Sequence, residues 1–137
     1  MEKKITLDEA IKFHGHLGPY LILGLRAGEL ALKKLKCRKY FGLRVKAWGV
    51  SDRPKSCLID GLQLSTGATY GKGNITKLNG EIIKLIVKDN DNSQKIVMTL
   101  KEGLVKELED ARTHKDSESL ALKIYKASNS KLFTIRR

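Results

Sequence analysis

"FHGHLGPYLILGLRAGELALKK", Phe13–Lys34, decides how this chain is organised. Two histidines flank Gly15, Gly18-Pro19 follows, and an apolar run comes next. Pro19 suits the first turn of a helix, because its missing N–H would find no intrahelical acceptor there. The spacing predicts a helix from Pro19 to about Lys36, with Leu21, Leu25, Leu32 and Leu35 near one face. Gly24 and Gly28 fall four apart on an overlapping face. A glycine inside a helix costs about 1 kcal/mol against alanine, so the pair implies that another backbone packs closely there. Upstream, Thr6-Leu-Asp-Glu9 is a capping box that opens a short helix ending near His14-Gly15. On a regular helix His14 and His16 would diverge by about 200°. They converge only if the helix stops between them, and Gly15 with Gly18-Pro19 supplies the stop. The plainer alternative is that one histidine caps the carbonyls of the first helix while the other is simply exposed.

Downstream, Gly42–Val50 alternates apolar and polar residues as a strand does, and "DRPKS" turns the chain. "CLIDGLQLSTG" reads as a short helix capped by Ser56, and "GATYGKGN" as a glycine-rich loop. In "ITKLNGEIIKLIVK" the Asn79-Gly80 pair predicts a hairpin with a type I′ turn. "QKIVMTL" is a further strand. Helices near Lys101–Thr113 and Ser117–Ser128 and a terminal strand within Lys131–Arg136 close the chain. The class is α+β, with N-terminal helices, an antiparallel meander and C-terminal helices, as one domain over 1–137.

With 41% apolar and 31% charged residues the composition is that of a water-soluble globular domain. The apolar run from Tyr20 is broken by Arg26 and Glu29, so no membrane span is expected. Met1-Glu-Lys-Lys has no leader character. Two cysteines, Cys37 and Cys57, do not form a disulfide framework, and the expected location is cytoplasmic. The net charge is +12. Its densest part is "KKLKCRKYFGLRVK", Lys33–Lys46, with no RNA-type aromatic motif beside it. A lysine- and glutamate-rich solvated surface of the thermophile kind explains the charge. A face for nucleic acid or an acidic protein partner is the alternative.

Cys57 is the next candidate for chemistry. A cap at Ser56 would set it in the first turn of a helix, where free N–H groups, Arg53 and Lys55 favour the thiolate. The alternative is a small buried hydrophobe. Asp60 follows on nearly the same face, while Cys37 has no such setting. "GATYGKGN", Gly67–Asn74, is one residue short of a phosphate-binding P-loop and lacks its hydroxyl, since Gly73 stands there. Its amides and Lys72 form either an anion nest or a loop that simply needs positive φ.

Phe13, His14, Gly15, His16 and Pro19, followed by Cys57, Asp60, Gly61, Gln63, Thr66, Gly67, Thr69, Gly71, Lys72 and Asn74, resemble the core domain of the FmdE family, named for a component of formylmethanofuran dehydrogenase. Its pattern is F-H-G-H-x-C-P, then C-x-x-D-[GA]-[IL]-Q-x-x-T-G-C-T-x-G-K-x-N. The resemblance runs from about Thr6 to the last strand. It implies an α+β core, a cleft that holds a metal, and pairing of two copies as a homodimer, with a larger oxidoreductase complex as a further partner. The family's two other cysteines fall on Gly18 and Ala68 here, and its cysteine-rich zinc domain has no counterpart after Cys57.

The resemblance thus yields an FmdE-like metal-binding domain, an accessory subunit or a small enzyme tied to formylmethanofuran dehydrogenase-type oxidoreductase chemistry. His14, His16 and Cys57 would hold a divalent transition metal such as zinc, with Asp60 and Gln63 behind them. Thr66, Gly67, Thr69, Gly71, Lys72 and Asn74 would meet an anionic ligand. The alternative is a basic binding protein without metal chemistry.

Overall fold

The computed structural model describes residues 4–137; the leader reading of Met1–Lys3 lies outside them. Two helices open the chain, α1 (Leu7–His14) and α2 (Pro19–Leu35). Strand β1 (Leu43–Trp48) leads through α3 (Cys57–Thr66) to β2 (Ile75–Leu78), followed by β3 (Lys84–Asp89) and β4 (Lys95–Leu100). Three helices, α4 (Glu102–Asp110), α5 (His114–Lys126) and α6 (Asn129–Leu132), precede β5 (Phe133–Arg136). The α+β class is as expected. The five strands form one sheet in the order β2-β1-β3-β4-β5, antiparallel except for the β1–β2 pair.

That parallel pair corrects the expected hairpin. A type I′ turn needs positive φ at both central residues, and neither Asn79 nor Gly80 has it. Instead β1–α3–β2 is a crossover unit, and the chain then passes over the end of β1 to reach β3 on its other side. Gly49 makes the passage possible. Its φ is +78°, and a Cβ there would stand 2.3 Å from the Ile82 carbonyl oxygen. The short-range turn motif therefore lost to a close backbone crossing that no local pattern announces.

The capping box forms as read: Glu9 N–H donates to Thr6 Oγ1 at 3.1 Å, and Thr6 N–H to Glu9 Oε1 at 3.0 Å. Gly15, at φ +106°, ends α1 by donating to the Ile11 carbonyl. Helix α5 starts earlier than expected, because Thr113 rather than Ser117 caps it by accepting from Asp116 N–H. Helix α2 is not amphipathic with a single leucine face. Tyr20, Ile22, Leu23, Leu30 and Ala31 are buried beside Leu21, Leu25 and Leu35, so it is the central element, wrapped by α3, α5 and the sheet.

The close approach inferred from Gly24 and Gly28 is met within the chain. A Cβ on Gly24 would lie 2.0 Å from the Leu58 carbonyl oxygen, and one on Gly61 2.1 Å from that of Leu21. Gly28 faces the Ser65 hydroxyl in the same way. Helices α2 and α3 thus touch backbone to backbone, and these glycines lend no support to the pairing of two copies. No described helix is long and apolar enough to cross a membrane.

Candidate functional site

His14 is the last residue of α1, and His16 lies just past the Gly15 stop. The broken helix brings the rings together, with centroids 4.7 Å apart and planes tilted by 38°. The convergence condition set by the sequence is met. His14 Nδ1 is 2.7 Å from Asp60 Oδ2 on α3. An ionised carboxylate only accepts, so Nδ1 donates to it and Nε2 is the nitrogen left for another partner. The His14 side chain is 9% exposed, and its Nε2 is buried without a partner. Buried polar atoms without partners are rare in folded proteins, so an orphaned imidazole nitrogen on a residue that lines a cleft marks a place built for something else.

Cys57 opens α3 and is half-buried. The Ser56 cap is corrected: Ser56 has helical φ and ψ and no side-chain cap bond. The Cys57 amide donates to the Pro54 carbonyl, so the helix end is closed by a preceding turn. Thiolate activation is corrected with it. Burial pushes the Cys57 thiol above its ordinary range, and Asp60 adds to this, outweighing Arg53.

His14, His16 and Cys57 line one cleft of about 140 Å³ with Gly18, Pro19 and Pro54. Among the described residues, no three His, Cys, Asp or Glu side chains stand grouped as a ready-made metal cage. Gly18 lies against the second histidine: a Cβ there would stand 3.1 Å from His16 Nε2. The other position where the family pattern has cysteine, Ala68, is completely buried and is not part of the cleft. A larger cleft of about 710 Å³ adjoins the first through shared walls at Tyr20 and Leu108. It is bounded by Ile82, Ile83, Leu100 and Val105, with Lys55 and Lys101 among Glu81, Glu102 and Glu109 around it. Tyr20 has its hydroxyl pKa raised by burial and by Glu109. Sequence reading missed these walls, since α4 showed only a helical pattern.

Gln63 and the Gly67–Asn74 loop lie elsewhere. Gln63 Oε1 accepts from Tyr70 N–H at 3.2 Å, so it holds the loop rather than His14. Thr66 Oγ1 accepts from Ala68 N–H while donating to the Leu62 carbonyl. Asn74 Oδ1 accepts from Thr69 N–H, and Thr69 Oγ1 from Lys72 N–H. The amides of Gly73 and Asn74 also donate inside the loop. The amides of Thr69, Tyr70, Lys72, Gly73 and Asn74 thus donate within the protein and are not turned toward an anion. Gly67 closes α3 at φ +77° with Tyr40 packed against it, and Gly71 and Gly73 lie exposed.

The family model named FmdE, described as "Molybdenum formylmethanofuran dehydrogenase operon", matches residues 13–134. A protein from Archaeoglobus fulgidus described as "Probable S-adenosyl-L-methionine-binding protein" is 31% identical over 100 residues, 66% of this chain. The chain spans only 26% of that relative's length. Among solved structures, a tungsten formylmethanofuran dehydrogenase FmdE-like protein from Syntrophus aciditrophicus superposes with a TM-score of 0.61 at 23% identity. That match covers 95% of this chain and 68% of the other, and speaks for the fold.

Proposed function

This chain belongs to the FmdE family, and from that premise we propose that it is a metal-binding FmdE-type domain, an accessory subunit or small enzyme acting in the cytoplasm. The single observation that carries the reading is the buried, unpartnered Nε2 of His14 behind an Asp60-held Nδ1. A carboxylate on the far nitrogen of an imidazole is the usual support of a metal-ligating histidine, since it fixes tautomer and ring orientation. In this reading His14 anchors a divalent transition ion such as zinc. His16 and Cys57 turn in from the same cleft to complete the set. The ion, when bound, supplies positive charge that polarises an oxygen of a ligand held in the adjoining cleft. Pairing as a homodimer and work within a larger oxidoreductase assembly complete the proposal.

Zinc titrated into metal-free protein tests it. We expect binding near neutral pH, weakened more than tenfold in each of His14→Ala, His16→Ala and Cys57→Ala. Equal binding by all four proteins, or none by the parent, would overturn the reading.

A second, narrower reading concerns the larger cleft. The name of the Archaeoglobus fulgidus relative supplies a ligand, S-adenosyl-L-methionine. The cleft's 710 Å³ falls in the range of small-molecule sites. Three glutamates suit a cationic centre and two lysines a carboxylate. Calorimetric titration with S-adenosyl-L-methionine should show binding that Glu109→Gln weakens several-fold. No heat at millimolar ligand would reject it.

A further inference from the structure

Tyr40 and Phe41 in the turn before β1, and Tyr70 in the loop whose Asn74 and Lys72 contact that turn, are large rings outside the histidine cleft. They are 51%, 72% and 47% exposed, so none of the three serves the core. Lys72 joins them: its ammonium lies 5.9 Å from the centroid of Tyr40 and 5.6 Å from that of Phe41, within cation–π reach of both. The rings of Tyr40 and Phe41 come from the turn before β1, and the lysine comes from the Gly67–Asn74 loop.

The backbone beneath these rings is pinned. Asn74 Nδ2 donates to the carbonyls of Tyr40 (2.6 Å) and Leu43 (3.1 Å), and Asn90 Nδ2 to that of Phe41 (3.0 Å). Gln63 holds the Tyr70 amide. Tyr40 itself sits at φ +66°, a left-handed conformation that a non-glycine residue adopts at a cost. The fold thus fixes the backbone that carries three large rings and leaves the rings in water. Rings held this way lose little freedom on binding a flat partner.

The charge around the face selects the partner. Lys33–Lys46, the stretch that contains Tyr40 and Phe41, holds seven basic residues and no acid. The fold adds Lys72 to this run from about 30 residues downstream, over the rings of Tyr40 and Phe41. The acids nearby are engaged or buried: Asp91 pairs with Arg38, and Asp89 is buried. A second copy of this chain would bring the same positive charge to the face. A single-stranded polyanion with planar bases meets both the charge and the rings.

We propose that the face of Tyr40, Phe41, Tyr70 and Lys72 binds single-stranded nucleic acid by base stacking, with the Lys33–Lys46 basic residues tracking the phosphates. Fluorescence anisotropy of a labelled oligothymidine or oligouridine of about 20 nucleotides, long enough to span such a groove, tests it with the full chain. Binding should weaken steeply with salt. Phe41→Ala and Tyr70→Ala should each weaken it about tenfold at fixed salt, as removal of a stacking partner does. Lys72→Gln should flatten the salt slope by about one contact. Lys115→Gln and Tyr125→Ala, on α5, should change nothing. Unfolding curves of the variants would confirm that they are folded. No binding at low salt would overturn the proposal. So would binding indifferent to both aromatic substitutions, which would reduce the face to its charge. A doubled mass that Phe41→Ala abolishes, with no oligonucleotide bound, would assign the rings to a second copy instead.

Discussion

The Nδ1 atom of His14 donates to Oδ2 of Asp60 at 2.7 Å, joining the end of α1 to the middle of α3 across 46 positions of sequence. The bond decides which nitrogen is left for a ligand. Asp60→Asn keeps an acceptor but removes the charge, and Asp60→Ala removes both. Zinc affinity should fall about tenfold in the first variant and up to about 100-fold in the second. A competition titration with a chromogenic chelator measures both. Unchanged affinity in Asp60→Ala would separate Asp60 from the proposed site.

Gly18→Cys restores the thiol of the family pattern where a Cβ would stand 3.1 Å from His16 Nε2. The imidazole must yield by a few tenths of an ångström. Zinc should bind at least tenfold more tightly, because a thiolate adds charge and a donor. Ala68→Cys, at a fully buried position outside the cleft, should leave affinity unchanged.

Burial, and then the Asp60 carboxylate, hold the Cys57 thiol above its ordinary value against the opposing pull of Arg53. The folded state therefore favours the protonated form. This contribution to stability is complete below the thiol value of the unfolded chain, about 8.5, and is lost as pH rises through the folded value. Iodoacetamide labelling of metal-free protein should accelerate with a midpoint above that of a free cysteine. Asp60→Asn should lower the midpoint. A midpoint below the free value in the parent would contradict this.

Gly24→Ala and Gly61→Ala put a methyl group on a facing carbonyl oxygen, 2.0 and 2.1 Å away. The helices must part, and overpacking of this kind costs about 1–3 kcal/mol beyond any gain in helix propensity. Gly103, in the first turn of α4, has nothing within 4 Å, and Gly103→Ala should stabilise by up to about 1 kcal/mol. Urea unfolding of the three variants distinguishes a packing contact from simple propensity.

Asn74 is buried and makes three side-chain bonds, two to carbonyls and one from the Thr69 amide. Asn74→Ala leaves those groups without partners, at about 1–3 kcal/mol for each that water cannot reach. Stability should drop by a few kcal/mol, with faster amide exchange at Thr69.

Local chemistry was legible wherever a short segment decides its own conformation. The Thr6–Glu9 box, the Gly15 stop and Pro19 at a helix start all act within a single helical turn, and each formed. The histidine pair followed from them. What failed depended on partners distant in sequence. Asn79-Gly80 has the composition of a hairpin turn, yet the outcome turned on Ile82 crossing Gly49. Ser56 is a good capping residue, but the amides its hydroxyl would have met, those of Leu58 and Ile59, already donate to the carbonyls of Lys55 and Ser56. Gln63, expected behind the metal ligands beside Asp60, instead holds the amide of Tyr70 on the loop that α3 leads into. The rings of Tyr40 and Phe41 went unremarked because only the fold shows that they are left outside the core.

Helix α3 is a strut of about 15 Å for its ten residues. Within one turn near its middle it holds the histidine through Asp60 and the aromatic loop through Gln63. Gly61, between them, packs directly against the backbone of α2. The histidine cleft and the aromatic loop are thus anchored on one helix, at side chains three residues apart.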